Sequence, residues 1–506
     1  MKYTNPIIKG FNPDPSICRV GEDYYLVTSS FEYFPGIPIY HSCDLVNWEQ
    51  IGNCIERADQ IPFGDTQSSG GIWAPTIRYN DGTFYVTATF DGKDNFIISS
   101  DDPAHGWSDV VWTDFSGIDP SMFFENGKMY YCANDAGERN HKYGFEGISL
   151  VQMDPDTGEV IGEIKRIWSG TGGGWLEAPH IYHIGEYYYV IAAEGGTGGG
   201  HHETTGRSKN IWGPYESYNG NPILTNRNDC SKQVSCSGHA DLTDDGNGNW
   251  WAVHLGVRPV EGMSALGRET FLMPVIWENG WPIIGEKKMS QIEVEAPLWK
   301  EQKIISKQVF DFNDTDMEPQ WLFRRIPHTE NYLRTGEKLI LKPSEVKLSD
   351  SVDSPTFMAL RPLDLTCTAE VEFEFDTKQD GDAAGITVYL NERFYYRLYK
   401  KREGNKDYMI FERQVDDIDI VEYREEIKAG VLKMKIKADG NKYYLYYSLS
   451  DEGYIDAGNG SVKLLSTNIA GKCFTGALMG VFTECDAPTD AKMRIHRYGM
   501  ELRKGG

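Results

Sequence analysis

The feature that most constrains this chain is a repeat. The opening segment "NPDPSICRVGEDYYLVTSS" (12–30) returns as "WAPTIRYNDGTFYVTAT" (73–89), "IDPSMFFENGKMYYCAND" (118–135) and "EAPHIYHIGEYYYVIAAEGG" (177–196), and in degenerate form as "GHADLTDDGNGNWWAVHLG" (238–256). Each copy runs from a small or acidic residue plus Pro, lost in the fifth, through an apolar position (Ile17, Ile77, Met122, Ile181, Leu242) and a Gly-containing turn to an aromatic-rich strand. Proline fixes its own φ and disfavours the helical region for its predecessor, so each copy is expected to enter a strand extended, turn on residues that tolerate positive φ, and return. A weaker echo, "CDLVNWEQIG" (43–52), "DDPAHGWSDV" (101–110) and "SKNIWGPYES" (208–217), marks outer strands, and "LGRETFLMPVIWENGWPII" (266–284) supplies the last pair. Five such units of roughly 45 to 60 residues predict a five-bladed β-propeller.

A propeller stops near residue 300, and 506 residues exceed what one such core organises. The polar run 285–303 reads as a connection outward. Beyond it the pattern changes to period-two alternation, as in "AEVEFEFDT" (369–377) and "LKMKIKADGNKYYLYYS" (432–448), where one face is apolar and the other charged. That pattern predicts a β-sandwich. The expected fold is therefore all-β, a propeller over 1–303 followed by a concanavalin-like sandwich over 304–506, with no long helix.

In a propeller the innermost strands line one channel, so the five repeat starts are expected to meet there although they span more than 220 positions. They carry Asp14, Trp73 with Ala74, Asp119, Glu177 with Ala178, and His239. An isolated Asp-Pro is an ordinary turn initiator, as at Asp102–Pro103 and Asp154–Pro155. Asp14 and Asp119 differ because they fall in the repeat register, at positions where other copies carry Ala. The frame does not need their charge. Converging carboxylates suit cleavage of a glycosidic bond, which needs one acid to protonate the leaving oxygen and one carboxylate to activate water or attack the sugar.

The formal net charge of −25 disfavours nucleic acid and anionic membrane surfaces, while 13% aromatic residues suit sugar faces as well as ordinary β packing. No window approaches the roughly 18 apolar residues of a membrane span. Nine scattered cysteines without a C-x-x-C pair read as reduced thiols, and the first residues lack the apolar stretch of a signal peptide, so a cytoplasmic location is expected.

The segments "NPDPSICRVGEDYYLVTSSFEYFPGIPIYHSCDLVNW", "GGIWAPTIRY", "GIDPSMFF", "WLEAPHIY" and "LGRETFL" resemble family 43 of the glycoside hydrolases, in particular its two-domain β-xylosidases and α-L-arabinofuranosidases. The resemblance implies an inverting, exo-acting hydrolase that releases xylose or arabinose from the non-reducing ends of xylo- or arabinoxylo-oligosaccharides. It makes Asp14 the general base, Glu177 the general acid, and Asp119 the residue that raises the acid's pKa. It implies substrate contacts from Arg268, Phe31 and Trp73, from His239, and from Phe482 of the sandwich as a lid. Each has a plainer alternative: an ion pair for Arg268, core packing for Phe31 and Trp73, and a histidine satisfied by nearby carboxylates for His239.

Many family members hold calcium on the propeller axis through a histidine, which makes His239 a candidate metal residue, although a lone His is a poor ligand for a hard cation. No cofactor is required for the chemistry itself, and a homo-oligomer stays open. The rivals are a retaining fructan-type hydrolase, whose motifs are N-D-P-N, R-D-P and E-C, and a sugar-binding propeller without catalysis. The Gly-rich "EGGTGGGHHETTGRSKN" (194–210) lacks G-x-x-x-x-G-K-[ST] and reads as an inter-strand loop, with His201 and His202 bordering the site.

Overall fold

The computed structural model describes residues 2–134, 147–296, 300–314, 316–428, 430–449 and 453–503. Asp135, at the end of the third repeat, and residues 297–299 of the connecting run lie outside the described residues. The repeats form five four-stranded antiparallel sheets, each with its strands in sequence order. Their innermost strands are Ser16–Val20, Ile72–Asn80, Ser121–Glu125, Glu177–Ile184 and Ser235–Asp244. Each contacts the next, and the fifth contacts the first, so the ring closes. Closure is fastened by the N-terminal strand Lys2–Thr4, which pairs with Glu293–Glu295 beyond the last blade. Asn5 exchanges hydrogen bonds with the Leu272 backbone of the fifth blade.

The residues that open the inner strands are not extended. Asp14, Ala74, Asp119, Ala178 and His239 all have positive φ, between 37° and 54°. The second, fourth and fifth blades show register breaks at this point, between Trp73 and Thr76, Glu177 and His180, and Gly238 and Asp241. A bulge inserts an extra residue, bends the strand and re-aims side chains, and that overrides the preference proline imposes on its neighbour. Left-handed conformations of non-glycine residues cost of order 1–3 kcal/mol each and persist where the surroundings over-determine them. Here the five strained residues form a ring around the channel.

Below that ring the channel is filled by an ion pair. Arg78 donates from Nη1 to Asp241 Oδ2 (2.8 Å) and from Nη2 to Asp241 Oδ1 (3.2 Å), and its Nη2 lies 2.9 Å from His180 Nδ1. Ser16 and Tyr182 hydroxyls donate to the same carboxylate at 2.6 and 2.5 Å. Residues from the first, second, fourth and fifth blades thus meet on one fully buried aspartate. Burial alone would raise its pKa; Arg78, His180 and the hydrogen bonds hold it well below the usual carboxylate range.

The C-terminal half is a sandwich of an eight-stranded and a six-stranded antiparallel sheet. The alternation seen in sequence is the alternation of burial: Val371, Phe373 and Phe375 of Cys367–Asp376 and Leu432, Met434 and Ile436 of Val431–Ala438 all point into the core. Among the described residues the longest α-helix is Thr467–Ala470, and no helix is long and apolar enough to cross a membrane. The sandwich docks on the first and fifth blades. Phe323–Arg324 pairs with Tyr33–Phe34, and the Arg325 amide donates to the Glu32 carbonyl. Lys9 and Arg258 both pair with Asp364, and Arg361 donates to the Phe11 carbonyl.

Arg78→Met leaves Asp241 buried without its cation, which is expected to cost about 3–5 kcal/mol in urea unfolding. Adding Asp241→Asn is expected to recover part of that loss, and strict additivity of the two changes would show that the pair does not tie the blades.

Candidate active site

Asp14 and Asp119, both in left-handed conformation, meet Glu177 at one end of the channel, where no more than 8% of Asp14 or Asp119 reaches solvent. Asp14 is held on both oxygens: Ser29 Oγ donates to Oδ2 at 2.6 Å, and Arg268 Nη1 donates to Oδ1 at 2.6 Å. Ser29 is itself fixed by the Ala74 amide of the next blade (2.7 Å). His239 Nδ1 lies 3.8 Å from Asp14 Oδ1.

Among the described residues the other two carboxyls form no ion pair of their own. Burial, then the Asp14 charge, raises the Glu177 pKa to about 7 against the opposing pull of Arg268. Burial, then the charges of Glu177 and Asp14, raises Asp119 as well, although the Ala178 amide donates to it. Two carboxyls in one buried space resist simultaneous ionisation, so the pair holds a proton near neutral pH. The mouth therefore carries an arginine-bound carboxylate facing a protonated acid pair, which is the equipment of general acid–base catalysis.

Arg268 is a hub. Besides Asp14 it reaches Thr197 Oγ1 (3.2 Å) and the Phe474 carbonyl (3.3 Å), and its guanidinium lies 5.6 and 5.7 Å from the Phe31 and Phe474 ring centroids. Its buried Nε has no partner among the described residues. Phe31 is nearly fully buried between Phe11 and Phe474, so it backs the pocket more than it lines it. Trp73 is half-buried, anchored through Nε1 to the Ser69 carbonyl, with its ring edge-on to Phe474 at 6.1 Å.

Phe482 is not the residue that reaches the site. It lies in the strand Leu478–Glu484, 1% exposed, paired with Phe357 and packed on Tyr399 and Arg397. Its strand belongs to the six-stranded sheet, on the face that packs against the propeller, where Phe482 is covered in one cluster with Phe11, Phe31 and Tyr33. The sandwich residue at the site is Phe474, on a loop whose amide bonds Ser69 Oγ and whose flanks join Ser264 and Ala265 through the Thr467 and Ala477 amides. With Thr197, Cys236, Ser264, Arg268 and Cys473 it borders a cavity of about 130 Å³.

The surroundings of His239 do not fit calcium. A hard dication takes six to eight oxygen ligands. The carboxylates nearest the His239 ring, Asp14 and Asp241, are each already bound to an arginine, and the Arg78 guanidinium fills the axis. Desolvation lowers the His239 pKa, so the ring is a neutral neighbour of Asp14.

The paired histidines and the Gly-rich loop also find a place. His201 is buried, bonds the Gly196 carbonyl through Nδ1, and packs so closely on Gly238 that a Cβ there would lie 2.0 Å from its ring. His202 bonds the Gly200 carbonyl, and its Nε2 lies 3.9 Å from Glu194. Together they fold the loop that presents Thr197 to Arg268. Glu194, 1% exposed, accepts from the Thr171 amide (2.6 Å), the Thr171 hydroxyl (2.8 Å), the Gly173 amide (2.6 Å) and Thr204 Oγ1 (3.2 Å). It thereby fixes the loop that runs into Trp175, Leu176 and Glu177. Gly173 leaves room for it, since a Cβ would sit 2.4 Å from Glu194 Oε2.

Comparison with known proteins follows the same division of the chain. Residues 3–282 match Glycosyl hydrolases family 43, and residues 309–492 match the Beta xylosidase C-terminal Concanavalin A-like domain. The chain is 39% identical to a non-reducing end α-L-arabinofuranosidase of Bacteroides ovatus, over 95% of this chain and 91% of the relative. It is 34% identical to a β-xylosidase of Bacillus subtilis, over 95% and 96%. The crystal structure of a family 43 protein from Bacillus licheniformis superposes with a TM-score of 0.92 at 32% identity, covering 99% of this chain and all of the other.

Glu194→Gln puts an amide donor against backbone N–H groups. The expected result is a loss of about 1–3 kcal/mol of stability and faster hydrogen exchange at the Thr171 and Gly173 amides. Unchanged protection there would show that the carboxylate does not hold the loop.

Proposed function

The chain belongs to family 43 of the glycosyl hydrolases, and from that premise we propose an exo-acting, inverting glycosidase that releases β-D-xylosyl or α-L-arabinofuranosyl units from the non-reducing ends of xylo-oligosaccharides. The observation that carries the reading is the contrast at the channel mouth: Asp14 bound to Arg268 and Ser29, Glu177 buried and raised to about 7. In this mechanism Glu177 gives its proton to the glycosidic oxygen as the bond to the anomeric carbon breaks. Asp14 takes a proton from a water that attacks the opposite face of that carbon. Inversion requires roughly 6.5–9.5 Å between the two carboxyls, so that the water fits. Burial and the Asp14 charge keep Glu177 protonated, Asp119 shares its buried space, and neutral His239 beside Asp14 adds no competing positive charge.

Arg268 stiffens the base and offers its Nε, unpartnered among the described residues, to a sugar hydroxyl, while Trp73 and Phe474 wall the pocket. The Phe474 loop crosses one end of the pocket, which supports exo rather than endo action. The arrangement accepts xylose and arabinofuranose alike, and the relatives include both kinds of enzyme. We take residues 1–303 as the catalytic domain and 304–506 as the domain that supplies this wall. None of the nine cysteines is in a disulfide, which suits work on short oligosaccharides in a reducing cytoplasm.

Asp14→Ala and Glu177→Ala are each expected to lower kcat/KM on p-nitrophenyl β-D-xyloside and α-L-arabinofuranoside by at least about 10²-fold. Near-normal turnover by either variant would overturn the assignment. The acid must be protonated, and its pKa is raised, so kcat/KM is expected to hold below neutrality and fall as pH rises through about 7. A profile flat to pH 9 would contradict Glu177 as the acid.

A further inference from the structure

A second cluster of reactive side chains lies at the other end of the first blade. Asp23 opens the strand after the Gly21 turn, His41 lies near the end of the neighbouring strand Gly36–Ser42, and Cys43 follows it. His41 Nε2 is 2.7 Å from Asp23 Oδ1, Cys43 Sγ is 3.4 Å from the same oxygen, and Sγ is 4.0 Å from His41 Nε2. Asp14 and Val20 bracket the inner strand, so the cluster stands roughly 20 Å from the catalytic mouth at ~3.3 Å per residue. It is outside the glycosidase machinery.

We propose that Asp23, His41 and Cys43 form a binding site for a borderline divalent metal ion of the Zn²⁺ type. One nitrogen, one carboxylate oxygen and one sulfur make a donor set that suits zinc and excludes calcium or magnesium. For tetrahedral zinc with bonds of about 2.0 Å to N and O and about 2.3 Å to S, donors stand roughly 3.3–3.6 Å apart. The Asp–Cys separation already has that value. The His–Asp contact opens by about 0.6 Å and the Cys–His contact closes by about 0.5 Å.

The donors rest on rigid supports. Tyr25 pairs with His41 across the ladder. The backbone after Cys43 is held by Ser42 Oγ, which accepts from Leu45, and by Asp44 Oδ1, which accepts from Val46 and Asn47. All three side chains reach solvent, which leaves an entry path and a fourth position for water. Binding replaces the S–H bond of Cys43 with an S–metal bond, and the thiol proton goes to buffer. The ion would staple two strands of the first blade to the turn that follows them.

The test is titration of the full chain, stripped with chelator and dialysed, with Co²⁺ and then Zn²⁺. The expected result is one equivalent of Co²⁺ bound with a thiolate charge-transfer absorption, displacement by one equivalent of Zn²⁺, and release of one proton in calorimetry compared across two buffers. Cys43→Ser, an exposed and conservative change, is expected to abolish the absorption, and His41→Gln to weaken binding by more than about tenfold. Zn²⁺ is expected to raise the thermal midpoint of the parent and not that of Cys43→Ser. Absence of saturable binding, or an absorption that persists in Cys43→Ser through another thiol such as the exposed Cys230, would overturn the proposal.

Discussion

Everything at the channel mouth depends on the ion pair beneath it. A five-bladed ring leaves a central opening that five aliphatic starts would not fill, and this chain fills it with Arg78 and Asp241. The pair reaches out to Ser16, His180 and Tyr182, so four of the five blades share one buried hydrogen-bonded unit. A buried ion pair gives little net stability against an apolar replacement, but breaking it is costly. Its use here is geometric. It fixes the angle between blades, and so sets where the strained residues one layer above it point their side chains.

Those residues carry a charge problem that determines the chemistry. Three carboxyls converge, and among the described residues Arg268 is the arginine that bonds one of them. Arg268 lies within hydrogen-bond distance of Asp14, while burial and then the neighbouring charges raise Glu177 and Asp119, so that pair holds the proton. In the proposed mechanism the division of labour between base and acid follows which carboxyl the cation touches. The sandwich takes part because Phe474 both accepts from Arg268 and closes the pocket beside Trp73.

The sequence made the frame legible because a repeat repeats its register. Pro, apolar position, turn and aromatic strand recur at each blade, and acidic residues at Ala positions mark Asp14 and Asp119 as surplus to the fold. What stayed hidden lacks a register. Ser29 is one hydroxyl among many at a strand end, and its role depends on the next blade's Ala74 amide. Arg78 lies four residues past its repeat start, where other copies place other residues. Glu194 looks like any strand-terminal acid until the loop 170–174 folds onto it. Phe474 and Phe482 are eight residues apart, and only the sheet shows that the second is covered in the seam between the domains and the first is on a loop at the channel mouth. The left-handed conformation before each proline was also beyond local reasoning, because the closed ring at the channel rim opposes proline's own preference, with a bulge at Ala74 and Ala178 and without one at Asp14 and Asp119.

The central claim is that Asp14 activates water instead of attacking the sugar, with Glu177 protonating the leaving oxygen from the other side. The stereochemistry of the first-formed product reads this directly. Proton NMR of p-nitrophenyl β-D-xyloside hydrolysis, followed from the first turnovers before mutarotation, is predicted to show α-xylose appearing first. Initial formation of β-xylose would mean a covalent intermediate on a carboxylate, and would contradict the account.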